Sequence, residues 1–232
     1  MGKENAYIRS CILTLYAKYK KRLGAAKMRI CLKNEYCINI SAGRVYRLMK
    51  SMSLPKMSTV KPFIHKSKSV SDEPCKNILK QEFNQSESNI VWVCDFTYIR
   101  AGGRFYYLCA ILDLFSRKVI AYKLSNKIDT QLAIDTVNLA VAGRGTSEGI
   151  IFHTDRGCQF TAKKFRKHLD NLNMVQSFSA KGHPYDNAVM ECFFKYLKKE
   201  EFEYINGFYN PLRPHSHNNG LSPNQAEKYF FI

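Results

Sequence analysis

Apolar and polar positions follow two different rhythms along this chain, and the change of rhythm divides it. Residues 6 to about 22 (AYIRSCILTLYAKYKKR) place Ile8, Cys11, Ile12, Leu15 and Tyr16 on one side at helical spacing, which predicts an amphipathic helix. Gly24 interrupts it, and a second helix is predicted through about Asn34. A third begins after Ser41, whose hydroxyl suits an N-cap, and turns Val45, Leu48 and Met49 inward. Arg44, Arg47 and Lys50, spaced by three, then share its outer side. Between 53 and 88 the pattern lapses, and Pro55, Pro62, Pro74 and clusters such as HKSKSVSDEP predict an extended, solvated linker. From residue 89 the rhythm is that of strands: 90–100, a hairpin turn at AGGR, 105–115 and 118–125. A helix over 130–142, a strand over 149–153, a helix over 161–172, a short strand over 175–179 and an amphipathic helix around Glu191 complete the succession.

Charge sharpens the division. Residues 1–68 hold 16 Lys or Arg against 2 Asp or Glu, whereas 69–232 hold 20 against 17, so the N-terminal third carries most of the net +17 and is the expected anchor for a polyanion. The 232 residues suffice for one sizeable core and a small appendage. An apolar share of 45% argues against disorder. No run approaches 18 apolar residues and the start, MGKENAYIRS, lacks a signal-peptide pattern, so a soluble intracellular protein without a membrane partner is expected. Eight cysteines contain no C-x-x-C pair and the six histidines show no zinc-finger spacing; reduced thiols and no structural zinc are expected.

Three carboxylates stand out against this background. Asp95 interrupts the apolar strand VWVCDFTYI, where an acid is costly to bury unless it meets cations. Asp155 closes a second apolar run, GIIFHTD, just before Gly157. Glu191 lies on the helix NAVMECFFKYLKK, with 35 residues (156–190) between it and Asp155 and with Lys198 two turns further along the same face. Such a set suits phosphoryl transfer: an anionic phosphodiester repels its nucleophile until hard cations clamp the attacking and leaving oxygens, and magnesium takes oxygen ligands. Asp113, in LCAILDLFSR, competes for the role of Asp95. His153 is read as held by hydrogen bonds rather than as a metal ligand, and Asn187 as orienting the Glu191 helix. With the carboxylates so placed, three antiparallel strands followed by helix–strand–helix–strand–helix predict an α/β, ribonuclease-H-like core, a five-stranded mixed sheet with flanking helices. The expected division is a basic helical DNA-binding segment at 1–54, a linker at 55–88 and a catalytic core with a C-terminal tail at 89–232.

The motifs D-F-T-Y, H-T-D-R-G-x-Q-F, K-G-x-x-x-D-N-A-x-x-E with Lys198 seven further on, and F-Y-N-x-x-R-P-H-S together resemble an insertion-sequence transposase. More narrowly, the chain is similar to the second-reading-frame (orfB) product of insertion-sequence family three, relatives of retroviral integrases with a D, D, 35, E triad. The resemblance implies a DNA transposase in which Asp95, Asp155 and Glu191 bind two magnesium ions, with manganese as a substitute, for cleavage and strand transfer. It assigns catalysis to Asp95 and leaves Asp113 structural, paired with Arg117 or Lys118. Lys198, Lys181, Asn187 and Arg213 are then the candidate DNA contacts near the core, and Arg44, Arg47 and Lys50 those of the N-terminal segment. Implied partners are the element ends and target DNA, an upstream-frame product or fusion supplying a helix-turn-helix and a coiled coil, and further copies in an active oligomer. The implied location is the bacterial cytoplasm, at the nucleoid.

The chain departs from that pattern in two places. Only 17 residues (192–208) separate Glu191 from Tyr209, a segment that looks shortened and that predicts a continuation of the Glu191 helix to about 208, a rod of roughly 33 Å. The tail also reads HSHNNGLSP where an apolar residue commonly precedes the glycine. An alternative is therefore an internally shortened, catalytically impaired DNA-binding product that regulates the full transposase.

Overall fold

The structure is a computed structural model and describes residues 2–54, 75–101, 104–198 and 205–230. The chain forms two compact units, Met1–Val60 with Phe202–Ile232, and Lys61–Glu201.

The first unit contains three helices, α1 (Gly2–Lys18), α2 (Ala25–Tyr36) and α3 (Ala42–Ser51), and a C-terminal helix, Pro223–Phe230. The apolar stripe predicted for α1 is the buried one, and it meets Met28, Cys31 and Leu32 of α2 and Val45, Leu48 and Met49 of α3. Glu35 joins α1 to α2, accepting from Lys18 Nζ at 2.5 Å and from the Tyr19 hydroxyl at 2.7 Å. Ser41 caps α3 by accepting from the Arg44 N–H at 3.2 Å. Residues 202–232, expected as a tail of the core, belong to this unit instead. Gly220 shows why the join is close: at φ +89° it lies against α2, where a Cβ would come within 2.2 Å of Ile30 Cγ2.

The second unit is built on five strands, β1 (Val91–Ala101), β2 (Arg104–Asp113), β3 (Val119–Ser125), β4 (Ile151–Thr154) and β5 (Val175–Phe178), in the order β3-β2-β1-β4-β5. β1 pairs antiparallel with β2 from Trp92↔Asp113 to Ala101↔Arg104, and β2 pairs antiparallel with β3. β4 adds in parallel to β1, and β5 in parallel to β4. This is the mixed sheet of the ribonuclease-H-like class. One face carries Trp92, Cys94, Cys109, Ile111, Phe152 and Phe178 and packs under α4 (Thr130–Arg144), α5 (Cys158–Thr161) and α6 (Lys163–Asn171). Cys94 and Cys109, 0% exposed, serve there as small hydrophobes. The last helix of the unit, α7 (Ala188–Leu197), packs against β1 through a stripe of Met190, Phe193, Phe194 and Leu197.

Three expectations are corrected. The helix predicted over 161–172 is two helices broken at Ala162, which is extended (ψ 133°). Phe160 and Phe165 are both fully buried with ring centroids 5.5 Å apart, whereas five residues along one helix would turn them about 140° apart. Of the rod predicted to 208, α7 ends at Leu197, its last inward apolar residue, and residues 199–204 lie outside the described residues. Finally, of the expected linker, residues 55–74 lie outside the described residues, while 75–89 are a strap bound to the core. The Phe178 N–H donates to the Lys76 carbonyl at 2.9 Å, the Arg117 guanidinium to that of Phe83 at 2.9 Å, and Leu79 is 3% exposed.

Candidate active site

The register of two strands brings Asp95 and Asp155 together. In the β1–β4 pair Val93 lies opposite His153, so the two acids, each two residues on, stand at matched positions on the same face. They sit just past the end of the parallel ladder, at the carboxyl side of adjacent strands where open α/β sheets place ligands. Asp95 Oδ1 accepts from the Phe96 N–H at 2.7 Å. Asp155 Oδ1 accepts from the Gly157 N–H at 2.9 Å, and a Cβ at 157 would lie 3.0 Å from that oxygen, so any larger residue there would press on the carboxylate.

The electrostatics are those of crowded negative charge. Burial, then the charge of Asp155, and further Glu191, push the Asp95 carboxyl well above its usual range, against the pull of the Phe96 N–H and Lys198. Burial also raises Asp155, opposed by the Gly157 N–H, and raises Glu191. Lys198, the residue after α7, holds its ammonium 4.1 Å from the centroid of the Tyr98 ring; burial lowers its proton affinity and Asp95 restores part of it. Asp95 thus senses Asp155, Glu191 and Lys198 together. Among the described residues, no three His, Cys, Asp or Glu side chains gather closely enough to hold a metal ion, and Glu191 remains exposed on α7.

The neighbouring groups are structural. His153 is fully buried, with Nδ1 2.9 Å from Ser177 Oγ and Nε2 3.2 Å from Ser179 Oγ, and burial lowers its pKa to about 4. Neutral and held at both nitrogens, it ties the ends of β4 and β5. Asp113, also fully buried, accepts from the Asn89 and Phe115 N–H groups at 2.8 and 2.9 Å, with Arg144 Nη2 at 3.6 Å supplying a cation that the sequence had not suggested.

The candidate DNA contacts separate into exposed and engaged groups. Lys181, Arg47 and Lys50 are exposed. Arg44 turns back to α1, 3.0 Å from Glu4 and donating to Asn5 Oδ1 at 2.9 Å, because the N-terminus of α1 supplies the acid and amide within reach. Asn187 is buried at the entry to α7 with its amide 3.5 Å from the Cys94 carbonyl, so it joins α7 to β1 rather than facing solvent. Arg213 belongs to the first unit and is 6% exposed, its guanidinium 5.4 Å from the centroid of the Tyr209 ring. Sequence reasoning missed Tyr98 under Lys198, and it missed Asn77, Gln81 and Asp186, which meet across more than 100 residues of chain. The D-N pair before an apolar helix was the available signal for Asp186, but its partners had none.

Residues 85–184 match the integrase core domain family, and residues 3–61 match the HTH-like domain family. The chain is 32% identical over 234 residues to the transposase for insertion sequence element IS904 of Lactococcus lactis subsp. lactis (strain IL1403), covering 94% of this chain and 92% of that one. It is 32% identical over 235 residues to the transposase InsF for insertion sequence IS3A of Escherichia coli (strain K12), covering 94% and 81%. Among solved structures, the HTLV-2 integrase catalytic core domain in complex with magnesium aligns with 61% of this chain and 98% of its own at 19% identity and a TM-score of 0.46. The catalytic core domain of BIV integrase aligns with 62% and 96% at 15% identity and a TM-score of 0.47.

Proposed function

Because the chain belongs to the insertion-sequence transposases of the IS3 family, DNA polynucleotidyl transferases with an integrase core, we propose that Asp95, Asp155 and Glu191 are its catalytic triad. The observation that carries this reading is the matched pair Asp95–Asp155, two half-buried acids whose proton affinity is raised by burial and, at Asp95, by the charge of Asp155. The donor set suits a hard divalent ion: two carboxylates on rigid strand ends and a third on α7 that has to approach them. Magnesium is the assigned ion, two are the assigned number, and manganese is the assigned substitute. When bound, such ions supply the positive charge that admits an oxygen nucleophile to an anionic phosphodiester and stabilises the leaving 3′-oxygen.

The remaining groups bind and orient. Lys198, anchored over Tyr98, directs a cation toward the phosphate oxygens beside Asp95. Lys181 extends DNA contact from the loop before α7. The HTH-like unit binds DNA, and Arg47 and Lys50 on α3 are its assigned contacts. No helix among the described residues is long and apolar enough to cross a membrane. Element ends and target DNA are the assigned substrates. Fusion to an upstream-frame product, oligomerisation and residence at the nucleoid belong to the same reading.

Strand transfer is tested with a pre-cut DNA end, a plasmid target and Mn²⁺, beside Glu191→Gln and Asp155→Asn. Joined product that disappears in both variants while salt-sensitive DNA binding persists supports the assignment. Equal joining by either variant sinks it.

A further inference from the structure

The strap of residues 75–89 ends on a buried carboxylate that the reaction does not use. Asp186 is 2% exposed and accepts three hydrogen bonds: from Asn77 Nδ2 at 2.8 Å, from Gln81 Nε2 at 2.6 Å and from the Ala180 N–H at 2.7 Å. The strap side of this latch is itself fixed. Asn77 Oδ1 accepts from the Lys80 N–H at 2.8 Å, and the N–H groups of Ile78 and Leu79 donate to Ser177 Oγ at 3.0 and 3.1 Å. The same strap reaches the residue after Asp155, since Arg156 donates to the Cys75 carbonyl at 3.2 Å and to that of Ser179 at 2.9 Å.

Asp186 lies five residues before Glu191, in the turn that leads into α7. The outer part of that loop, Lys181, Gly182, His183 and Tyr185, is exposed, with Tyr185 at 73%, so outward packing does not orient it. Its direction is set from beneath, by Asp186 and Asn187. An ionised carboxylate only accepts, and hydrogen bonds to it are stronger than neutral ones, so three converging donors specify one arrangement of the loop.

We propose that Asn77, Gln81 and Asp186 are positioning residues for strand transfer: through Asp186 the strap fixes the loop entering α7 and thereby sets where Glu191 is presented to Asp95 and Asp155. This rests on the assignment of Glu191 to the triad.

The test compares Asp186→Asn, Gln81→Ala and the swap Gln81→Glu with Asp186→Asn in the full chain. One oxygen of Asp186 accepts from both Asn77 and the Ala180 N–H, so in Asp186→Asn the amide oxygen stays there and the NH₂ group faces the amide of Gln81; in the swap that NH₂ donates to the carboxylate at 81. Asp186→Asn is expected to lower strand-transfer turnover on the order of 10- to 100-fold, as supporting groups typically do, with KM for DNA little changed and amide exchange over 180–191 accelerated. The swap recovers both turnover and exchange protection. Gln81→Ala, an exposed position that leaves Asp186 intact, shows the same change in smaller degree and keeps the proposal testable if Asp186→Asn fails to fold. Wild-type turnover and exchange in a folded Asp186→Asn, or a swap that melts like wild type without recovering turnover, overturns the latch. Wild-type turnover in Glu191→Gln would instead remove the triad assignment, and accelerated exchange in Asp186→Asn would still report the latch itself.

Discussion

Replacing Asp155 by Asn should make the ion-free protein more stable while it abolishes strand transfer. Paired strands lie about 4.8 Å apart, so carboxylates at matched positions of β1 and β4 are separated by roughly 5 Å. Two unit charges at that distance repel by about 3 kcal/mol at an effective dielectric near 20. Solvent at the half-open site screens part of this, leaving about 1–2 kcal/mol of relief. The substitution keeps the shape of the site, and Asn Oδ1 can still accept from the Gly157 N–H. At about 2–4 °C per kcal/mol for a chain of this size, the melting temperature in EDTA at pH 8 should rise by about 2–8 °C. The sign with pH follows from the direction of the shifts. Asp95 and Asp155 bind protons more tightly folded than unfolded, so their ionisation costs stability as pH rises above the ordinary carboxylate value of about 3.9. The advantage of the Asn variant should therefore be full at pH 8 and vanish near pH 4. Adding Mn²⁺ should raise the melting temperature of the wild type more than that of the variant. A variant that melts below wild type in EDTA at pH 8, or whose advantage persists unchanged to pH 4, refutes the reasoning.

Three further outcomes are expected. Gly157→Ala, whose φ of −58° suits any residue, should act through the 3.0 Å approach of its Cβ to Asp155 Oδ1, lowering single-turnover strand transfer about tenfold with a stability change under about 1 kcal/mol by thermal melting. Lys198→Gln should reduce the slope of log K against log salt for DNA binding by about 0.9, measured by fluorescence anisotropy; an unchanged slope would place Lys198 away from phosphate. Arg47→Ala should weaken DNA binding with little change in melting temperature, whereas Arg44→Ala, which loses its contacts to Glu4 and Asn5, should do the reverse.

The elements were legible because hydrophobic periodicity is a local property. The α1 stripe at Ile8, Cys11, Ile12, Leu15 and Tyr16, the Ser41 cap and all five strands lie within a few residues of their expected places. Errors occurred where distant packing overrides the local pattern. Ala162 breaks a helical run so that Phe160 and Phe165 both reach the core, and the Pro-rich appearance of 53–88 concealed a strap whose bonds go to β5 and Asp186.

The site divides in the same way. Residue types and order singled out Asp95 as an acid stranded in an apolar strand, with Asp113 its rival until the motif resemblance chose between them, Asp155 at a strand end and Glu191 on a helix carrying Lys198, because these chemistries conflict with their local surroundings. Only the tertiary structure decided that Asp95 and Asp155 are neighbours, since that depends on the register of β1 against β4, whose paired residues lie sixty apart in sequence. It also decided that Arg44 and Arg213 are engaged within their own unit and that Asp186 is held by Asn77 and Gln81. Polar groups are satisfied by whatever donor or acceptor folding brings near, and no periodicity in the chain announces that partner in advance.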